Sequence, residues 1–352
     1  MNPGHASDVA HMLHALRLAA RGLGQAWPNP SVGAVVVKDG LIVGRGRTAR
    51  GGRPHAETEA LTEAGADAKG ATLYVTLEPC SHHGKTPPCV DAVIAAGITK
   101  VVAACGDMNP QVAGKGFAAL RAAGIEVVEG QCEQDAKSLN EGFFSVIGRG
   151  RPYVSVKIAT SLDGRSVTTQ EEGRWITGEE SRARGHLLRA TNDAILTGIG
   201  TALADDPVLT CRLDGREKDS PLRVLLDSGL RISPKARLMP AWIFVSEAAF
   251  VQKAALVEEL TKAGCRIFSV KQQGGELDLA EILQVLAREG ITRLLVEGGK
   301  TLTEAFIHQG LADRIYWFRA PEVVGTENSV VSMPARSAKH VERLGKDTLE
   351  IY

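Results

Sequence analysis

Residues 54–60 read PHAETEA and residues 76–90 read TLEPCSHHGKTPPCV. His55 and Glu57 put an imidazole and a carboxylate two positions apart at the start of a predicted helix. Cys80 follows the strand ATLYVTLEP, and Cys89 follows Pro87-Pro88. A catalytic zinc takes three protein ligands and keeps a fourth position for water. Bound there, it lowers that water's pKa toward neutrality. A neighbouring carboxylate outside the ligand set can then carry protons. His55, Cys80 and Cys89 suit the ligands, and Glu57 suits the shuttle. Cys80 falls near the N-terminus of the next helix, where the helix dipole favours a thiolate.

Between the two cysteines lies the segment SHHGKTPP. Closure entropy grows slowly with length, so such a loop can return to one metal. Gly84 permits a turn, and Pro88 suits the opening of a helix. Two other readings fit the same residues. The cysteines are incidental in a solvated loop, or His82 or His83 enters the ligand set. A closed four-ligand zinc of purely structural kind would leave Glu57 without a role.

The chain has 352 residues, enough for two domains with their own cores. Acidic and basic residues balance at 41 each, which gives no general electrostatic footprint for nucleic acid. No stretch is long and apolar enough for a membrane span, and MNPGHASDVAHML has no basic region followed by an apolar run. A cytoplasmic location is therefore expected. Cys105, Cys132, Cys211 and Cys265 lie scattered and read as structural. His5, His11 and His14 read as packing residues of the first helix. GRGRTA at 44–49 lacks the strand–helix context of a dinucleotide fingerprint.

Apolar spacing predicts a helix over 8–24, ended near Gly22 and Gly24. VGAVVVKDGLIVGRG predicts two strands turned at Asp39-Gly40. Strands ATLYVTL, KVVAAC and IEVVEG then alternate with helices at 55–64, after Pro88, and at GFAALRAAG, which argues an α/β sandwich around a mixed sheet. Residues 132–147 predict one connecting helix. GRGRP at 148–152 marks a boundary, dividing residues 1–148 from 149–352.

The second block is again α/β, with strands YVSVKIA, DAILTGIG, LRVLLDS, AWIFVS, CRIFSV, RLLVEGG and DRIYWFRAP. Helices are predicted at 279–289 and 301–309. RLLVEGGKTL offers a strand, an acidic Glu297, a glycine pair and a helix start. Backbone N–H groups at such a start can hold a diphosphate, although an ordinary strand-to-helix turn reads the same way. Glu297 ends its strand where open α/β sheets bind ligands.

HxE followed by two cysteines is a pattern of zinc deaminases, which usually space the pair as PCxxC. HAE with TLEPCSHHGKTPPC, preceded by NPSVGAVVV, resembles the bifunctional deaminase/reductase family of riboflavin biosynthesis, in which the longer spacing is normal. SLDGR, WIT, LLRA, LADDP and VEGG follow in the order of that family's reductase domain, so the likeness runs from about residue 8 to 320. It implies a cytidine-deaminase-like α/β/α sandwich followed by a dihydrofolate-reductase-like α/β domain.

The resemblance further implies one Zn2+ per chain on His55, Cys80 and Cys89, with Glu57 as proton shuttle. It implies substrate contacts from Asn29, His82 and Lys85 in the first domain. Thr48 stands where many members carry a histidine. In the second domain it implies NADPH held by Trp175, Thr201, Asp205, Ser228 and the run Gly298, Gly299, Lys300, Thr301 and Leu302. Substrate is then held by Arg189, Arg212 and Glu297, with Lys157 close by. The implied partners are small phosphoribosyl-pyrimidines, with a homo-oligomeric assembly and no nucleic acid or membrane. The rival function is a deaminase of nucleosides or RNA carrying an unrelated C-terminal domain.

Overall fold

Asp39 and Gly40 both take positive φ, 50° and 78°, and the chain reverses there. The strands on either side, β1 (Gly33–Lys38) and β2 (Leu41–Arg47), pair antiparallel as Asp-Gly predicts, with a bulge between Val36 and Val37. The computed structural model describes residues 3–84, 86–109, 113–165, 176–323 and 337–352. The chain forms two compact units, Met1–Gly150 and Arg151–Tyr352.

In the first unit, α1 (Pro3–Ala20) precedes the hairpin. After it come α2 (Ala56–Ala64), β3 (Thr72–Val75), α3 (Cys89–Ala95), β4 (Lys100–Ala103), α4 (Lys115–Ala122) and β5 (Glu126–Glu129). The sheet order is β2-β1-β3-β4-β5. Pairing is antiparallel up to β3 and parallel from β3 to β5, so the sheet is mixed.

Side chains alternate across this sheet, and two glycines let helices settle on its opposite faces. A Cβ at Gly46 would stand 2.1 Å from the Ala56 carbonyl of α2. A Cβ at Gly33 would stand 1.9 Å from the Ala15 carbonyl of α1. Gly46 pairs with Ala34, the neighbour of Gly33, so the two contacts lie on different faces. The result is an α/β/α sandwich whose core includes Met12, Val35, Leu73, Val101 and Leu120.

β2 is an edge strand, yet its outward amide at Arg45 donates to Glu63 Oε2 (2.8 Å). The Arg45 guanidinium pairs with the same carboxylate at 3.2 Å.

The predicted connecting helix over 132–147 is two helices, α5 (Glu133–Leu139) and α6 (Glu141–Arg149). Asn140 breaks it. This side chain is buried, accepts from Ser31 N (2.9 Å) and donates to Ser31 O (3.1 Å), while its backbone leaves the helical region at φ −100°.

The second unit opens with β6 (Tyr153–Thr160), α7 (Glu179–Ala190), β7 (Ala194–Gly198), α8 (Ile199–Asp205), β8 (Leu222–Leu226) and β9 (Trp242–Ser246). It continues through α9 (Glu247–Gln252), α10 (Ala254–Lys262), β10 (Arg266–Val270), a small hairpin of β11 (Gln272–Gln273) and β12 (Glu276–Leu277), and α11 (Leu279–Arg288). It closes with β13 (Arg293–Val296), α12 (Lys300–His308), β14 (Arg314–Arg319), β15 (His340–Leu344) and β16 (Asp347–Ile351).

The nine-stranded order is β10-β9-β8-β7-β13-β6-β14-β16-β15. Strands from β10 to β14 run parallel, and β16 and β15 add antiparallel. The four strands β8, β7, β13 and β6 are adjacent, so their carboxyl ends open along one edge. The terminal hairpin β15–β16 was not among the predicted strands. HVERL and DTLEI are largely polar and only partly buried, so the pattern of a core strand is weak there.

Replacing Gly46 by valine forces α2 off the sheet and should lower stability by about 1–3 kcal/mol, the usual cost of overpacking. Urea unfolding measures it. Gly148→Ala, where an added methyl meets open space within α6, should shift the midpoint the opposite way.

Candidate active sites

The first site forms where α2 and α3 begin. His55 is the residue before α2, with an extended backbone, and Glu57 lies in that helix's first turn. Cys89 opens α3 behind Pro88. The Cys89 amide donates to Cys80 Sγ at 3.3 Å, so the eight-residue loop does return to its origin. Among the described residues, His55, Cys80 and Cys89 form a group whose donor atoms all lie within 4.8 Å of one another. His55 Nδ1 stands 3.3 Å from Cys89 Sγ and 3.6 Å from Cys80 Sγ. A tetrahedral zinc with ordinary bond lengths sets N-to-S edges of about 3.6 Å. The donor set fits that ion.

Its proton chemistry fits too. The hydrogen bond from Cys89, helped by His55 and opposed by burial, holds Cys80 down at about 4. The same bond, with burial, pushes Cys89 far above the ordinary thiol range. A divalent metal ionises coordinating thiols outright. Glu57 is buried beside them, and burial raises it to about 6 against the pull of its backbone amide and His55.

Asn29, His55, Glu57, Cys80 and His82 line one cleft of roughly 170 Å³. Asn29 does more than face it: Nδ2 donates to Gly52 O (2.9 Å) and lies 3.2 Å from His55 Nε2. Its amide sits at the Nε2 edge of the imidazole, while Nδ1 faces the two sulfurs. Thr48 also lines the cleft, where its hydroxyl donates to Pro30 O (3.0 Å) and accepts from Val32 N (2.9 Å). Lys85 lies outside the described residues.

Sequence reasoning missed Glu78. Buried at the cleft wall, this carboxylate accepts from the amides of Asp107 (3.1 Å), Gly114 (3.0 Å) and Gly116 (2.9 Å). It thereby fixes the wall residues Asp107 and Asn109. Its signal was its place in TLEPC, two positions before a ligand. Arg53 was missed as well. It lines the cleft and donates to Thr86 in the cysteine loop.

The second site lies along the open edge of the parallel strands. Lys157 projects from β6 and Glu297 follows β13. Lys157 Nζ donates to Glu297 Oε1 at 3.2 Å. Arg189 from α7 grips both oxygens, Nε to Oε2 and Nη2 to Oε1, each at 2.9 Å. Burial alone would raise this carboxyl, but Lys157 and Arg189 outweigh it and hold it at about 2.

Beside it, Gly299 N donates to Thr201 Oγ1 at 3.0 Å, which joins the first turn of α8 to the start of α12. Lys300, Thr301 and Leu302 form the first turn of α12. Ser228 follows β8, and its carbonyl accepts from Ser246 N (3.1 Å) and Ser246 Oγ (2.8 Å). Asp205 is exposed at the end of α8, one turn after Thr201. Arg212 is exposed, and its amide donates to His186 Nδ1 at 3.3 Å. Trp175 lies outside the described residues.

A three-donor metal cleft in a mixed α/β/α sandwich, with a nine-stranded sheet presenting Glu297 and a glycine helix start, defines a zinc deaminase joined to a reductase. Residues 5–105 match the family described as the cytidine and deoxycytidylate deaminase zinc-binding region, and residues 152–349 match the RibD C-terminal domain. The chain is 43% identical over 353 residues to the riboflavin biosynthesis protein RibD of Aquifex aeolicus, covering 98% of both chains. It is 42% identical to RibD of Escherichia coli, covering 91% of this chain and 89% of that one. Among solved structures, Acinetobacter baumannii RibD superposes with a TM-score of 0.87 at 37% identity, covering 99% of this chain and 98% of that one. The Thermotoga maritima diaminohydroxyphosphoribosylaminopyrimidine deaminase/5-amino-6-(5-phosphoribosylamino)uracil reductase superposes at 0.85 with 35% identity and 99% of each chain covered. The chain belongs to the RibD family. Its first unit has the cytidine-deaminase-like fold and its second the dihydrofolate-reductase-like fold.

Glu297→Gln leaves Lys157 and Arg189 without their counter-charge. The native carboxyl, held at about 2 against an ordinary 4.5, corresponds to about 3 kcal/mol of stability. That stability is fully present above the unfolded value of 4.5 and is lost as pH falls toward 2. Denaturant midpoints of wild type and Glu297→Gln should therefore differ at pH 7, draw together below pH 4.5 and converge only at about pH 2.

Proposed function

We propose that this chain catalyses two steps of riboflavin biosynthesis, one in each unit, with residues 1–148 and 149–352 as the functional division. The first is zinc-dependent hydrolytic deamination of 2,5-diamino-6-(5-phosphoribosylamino)pyrimidin-4(3H)-one. When bound, the zinc supplies a Lewis acid that lowers the pKa of water. His55, Cys80 and Cys89 hold it. Glu57 takes one proton from the water and gives it to the ring nitrogen, then takes the second from the hydroxyl now on the ring carbon and gives it to the departing amine, which leaves as ammonia. Asn29, His82 and Lys85 orient the pyrimidine and its phosphoribosyl arm. The observation that carries this reading is a buried carboxylate beside a three-donor group, outside the ligand set, facing an open cleft.

The second step reduces the ribosyl group of 5-amino-6-(5-phosphoribosylamino)uracil to ribityl. When bound, NADPH would supply the hydride for C1′ of the opened sugar, and solvent water the proton for the nitrogen attached to it. Trp175, Thr201, Asp205, Ser228 and Gly298 to Leu302 hold the cofactor. Lys157, Arg189 and Glu297 form one charged platform under the substrate. Arg189 is committed to Glu297 and to the Thr210 carbonyl, so Arg212 is the guanidinium that meets the phosphate. The working form is a cytoplasmic homo-oligomer, a reading that sedimentation of the purified protein tests.

Glu57→Ala should keep zinc at one per chain by elemental analysis and lose deamination by about 10²–10⁴-fold. Ammonia release from the pyrimidinone phosphate measures it. Retained deamination removes Glu57 from this role, and release from cytidine alone favours a nucleoside deaminase. Arg212→Ala should raise the KM for the aminouracil phosphate roughly tenfold in an NADPH oxidation assay, the loss of one charge-assisted contact. An unchanged KM removes Arg212 from the site.

A further inference from the structure

Two side chains one turn apart on α7 hold the same short run of backbone. Arg189 Nη1 donates to Thr210 O at 3.0 Å. His186 Nδ1 accepts from Arg212 N at 3.3 Å. Between them, Cys211 N donates to Ser220 Oγ at 3.0 Å. Just before them, Leu209 sits in the left-handed region at φ 55° with its side chain buried. A branched-chain residue persists in that conformation only where its surroundings over-determine it. Residues 209 to 212 are thus pinned at each position, and Arg212 is the exposed end of the pinned run.

The chemistry of the acceptor is specific to its surroundings. Burial first, then the charges of Arg189 and Arg212, push His186 down to about 4. A neutral ring keeps the Nδ1 lone pair that the Arg212 amide needs. A carboxylate in this place would pair with Arg189 and draw it from Glu297. A lysine would add a third cation and offer no acceptor. An uncharged acceptor avoids both.

We infer that His186 is a positioning residue of the reductase site, fixing the backbone of Arg212 so that its guanidinium is presented to the phosphate of the substrate. The inference rests on the reading that Arg212 holds that phosphate. His186 itself touches neither substrate nor cofactor in this role. It acts through the backbone of this run, accepting from the Arg212 amide beside a contact to the Thr210 backbone.

The test is steady-state NADPH oxidation by the full-length chain with the aminouracil ribosyl phosphate. Five proteins are compared: wild type, His186→Ala, His186→Asn, Arg212→Ala and the double variant. His186→Ala should raise substrate KM about five- to tenfold, the worth of one hydrogen bond, with kcat and the KM for NADPH within twofold. His186→Asn should recover most of the loss, because its Oδ1 falls where Nδ1 was. The double variant should be no worse than Arg212→Ala, since both changes remove one function. Multiplying effects in the double variant, or an unchanged KM in His186→Ala beside a raised one in Arg212→Ala, would overturn the inference. An unchanged KM in Arg212→Ala instead sinks the phosphate reading beneath it. If His186→Ala does not fold, His186→Gln against His186→Asn decides. The longer amide cannot place an acceptor at Nδ1, so equal kinetics for the two would refute the role.

Discussion

A sulfur at Cys80 that accepts the amide of Cys89 is the contact on which the first site depends. It closes the loop between them, sets the first residue of α3, and brings both sulfurs to His55. It also sets the two thiols apart, holding Cys80 down and Cys89 up. The rest of the cleft is arranged around these donors. Asn29 lies at the Nε2 edge of the imidazole, Glu78 holds the backbone amides of Asp107, Gly114 and Gly116, and Glu57 is buried beside the three donors.

The second site solves a different problem with similar means. A carboxylate between Lys157 and Arg189 is held fully ionised, and two cations are thereby fixed on an open sheet edge. Neither Lys157 nor Arg189 is available as a loosely held phosphate ligand while this group is intact. Arg189 is thus the bound guanidinium of this edge, and Arg212 is exposed.

Much of this was legible in the sequence because local chemistry agrees with tertiary need. Asp39-Gly40 turns where the dipeptide says, and HAE falls at a helix start as its role requires, whereas the strand before Cys80 ends early, at Val75. The longer gap to Cys89 was readable through the glycine and prolines that shape it. What escaped was decided by partners distant in sequence. Asn140 interrupts a helix only because Ser31 waits 109 positions away. Glu78 looks like an ordinary acidic residue until the amides of residues 107 to 116 arrive. His186 reads as a surface histidine on a polar helix until the chain beyond α8 folds back on it. The strands β15 and β16 carry little apolar periodicity, because only one side of each is covered.

The pairing of Arg45 with Glu63 has a consequence for self-association. An exposed outer strand is an invitation to a second chain, because its free amides template another strand. On β2 that amide is already spoken for by a carboxylate, and a bulky cation stands beside it. The five-stranded layer is thereby terminated from within. Copies of the molecule can gather through other surfaces while runaway stacking through this border is disfavoured, a safeguard written into one acidic side chain of α2.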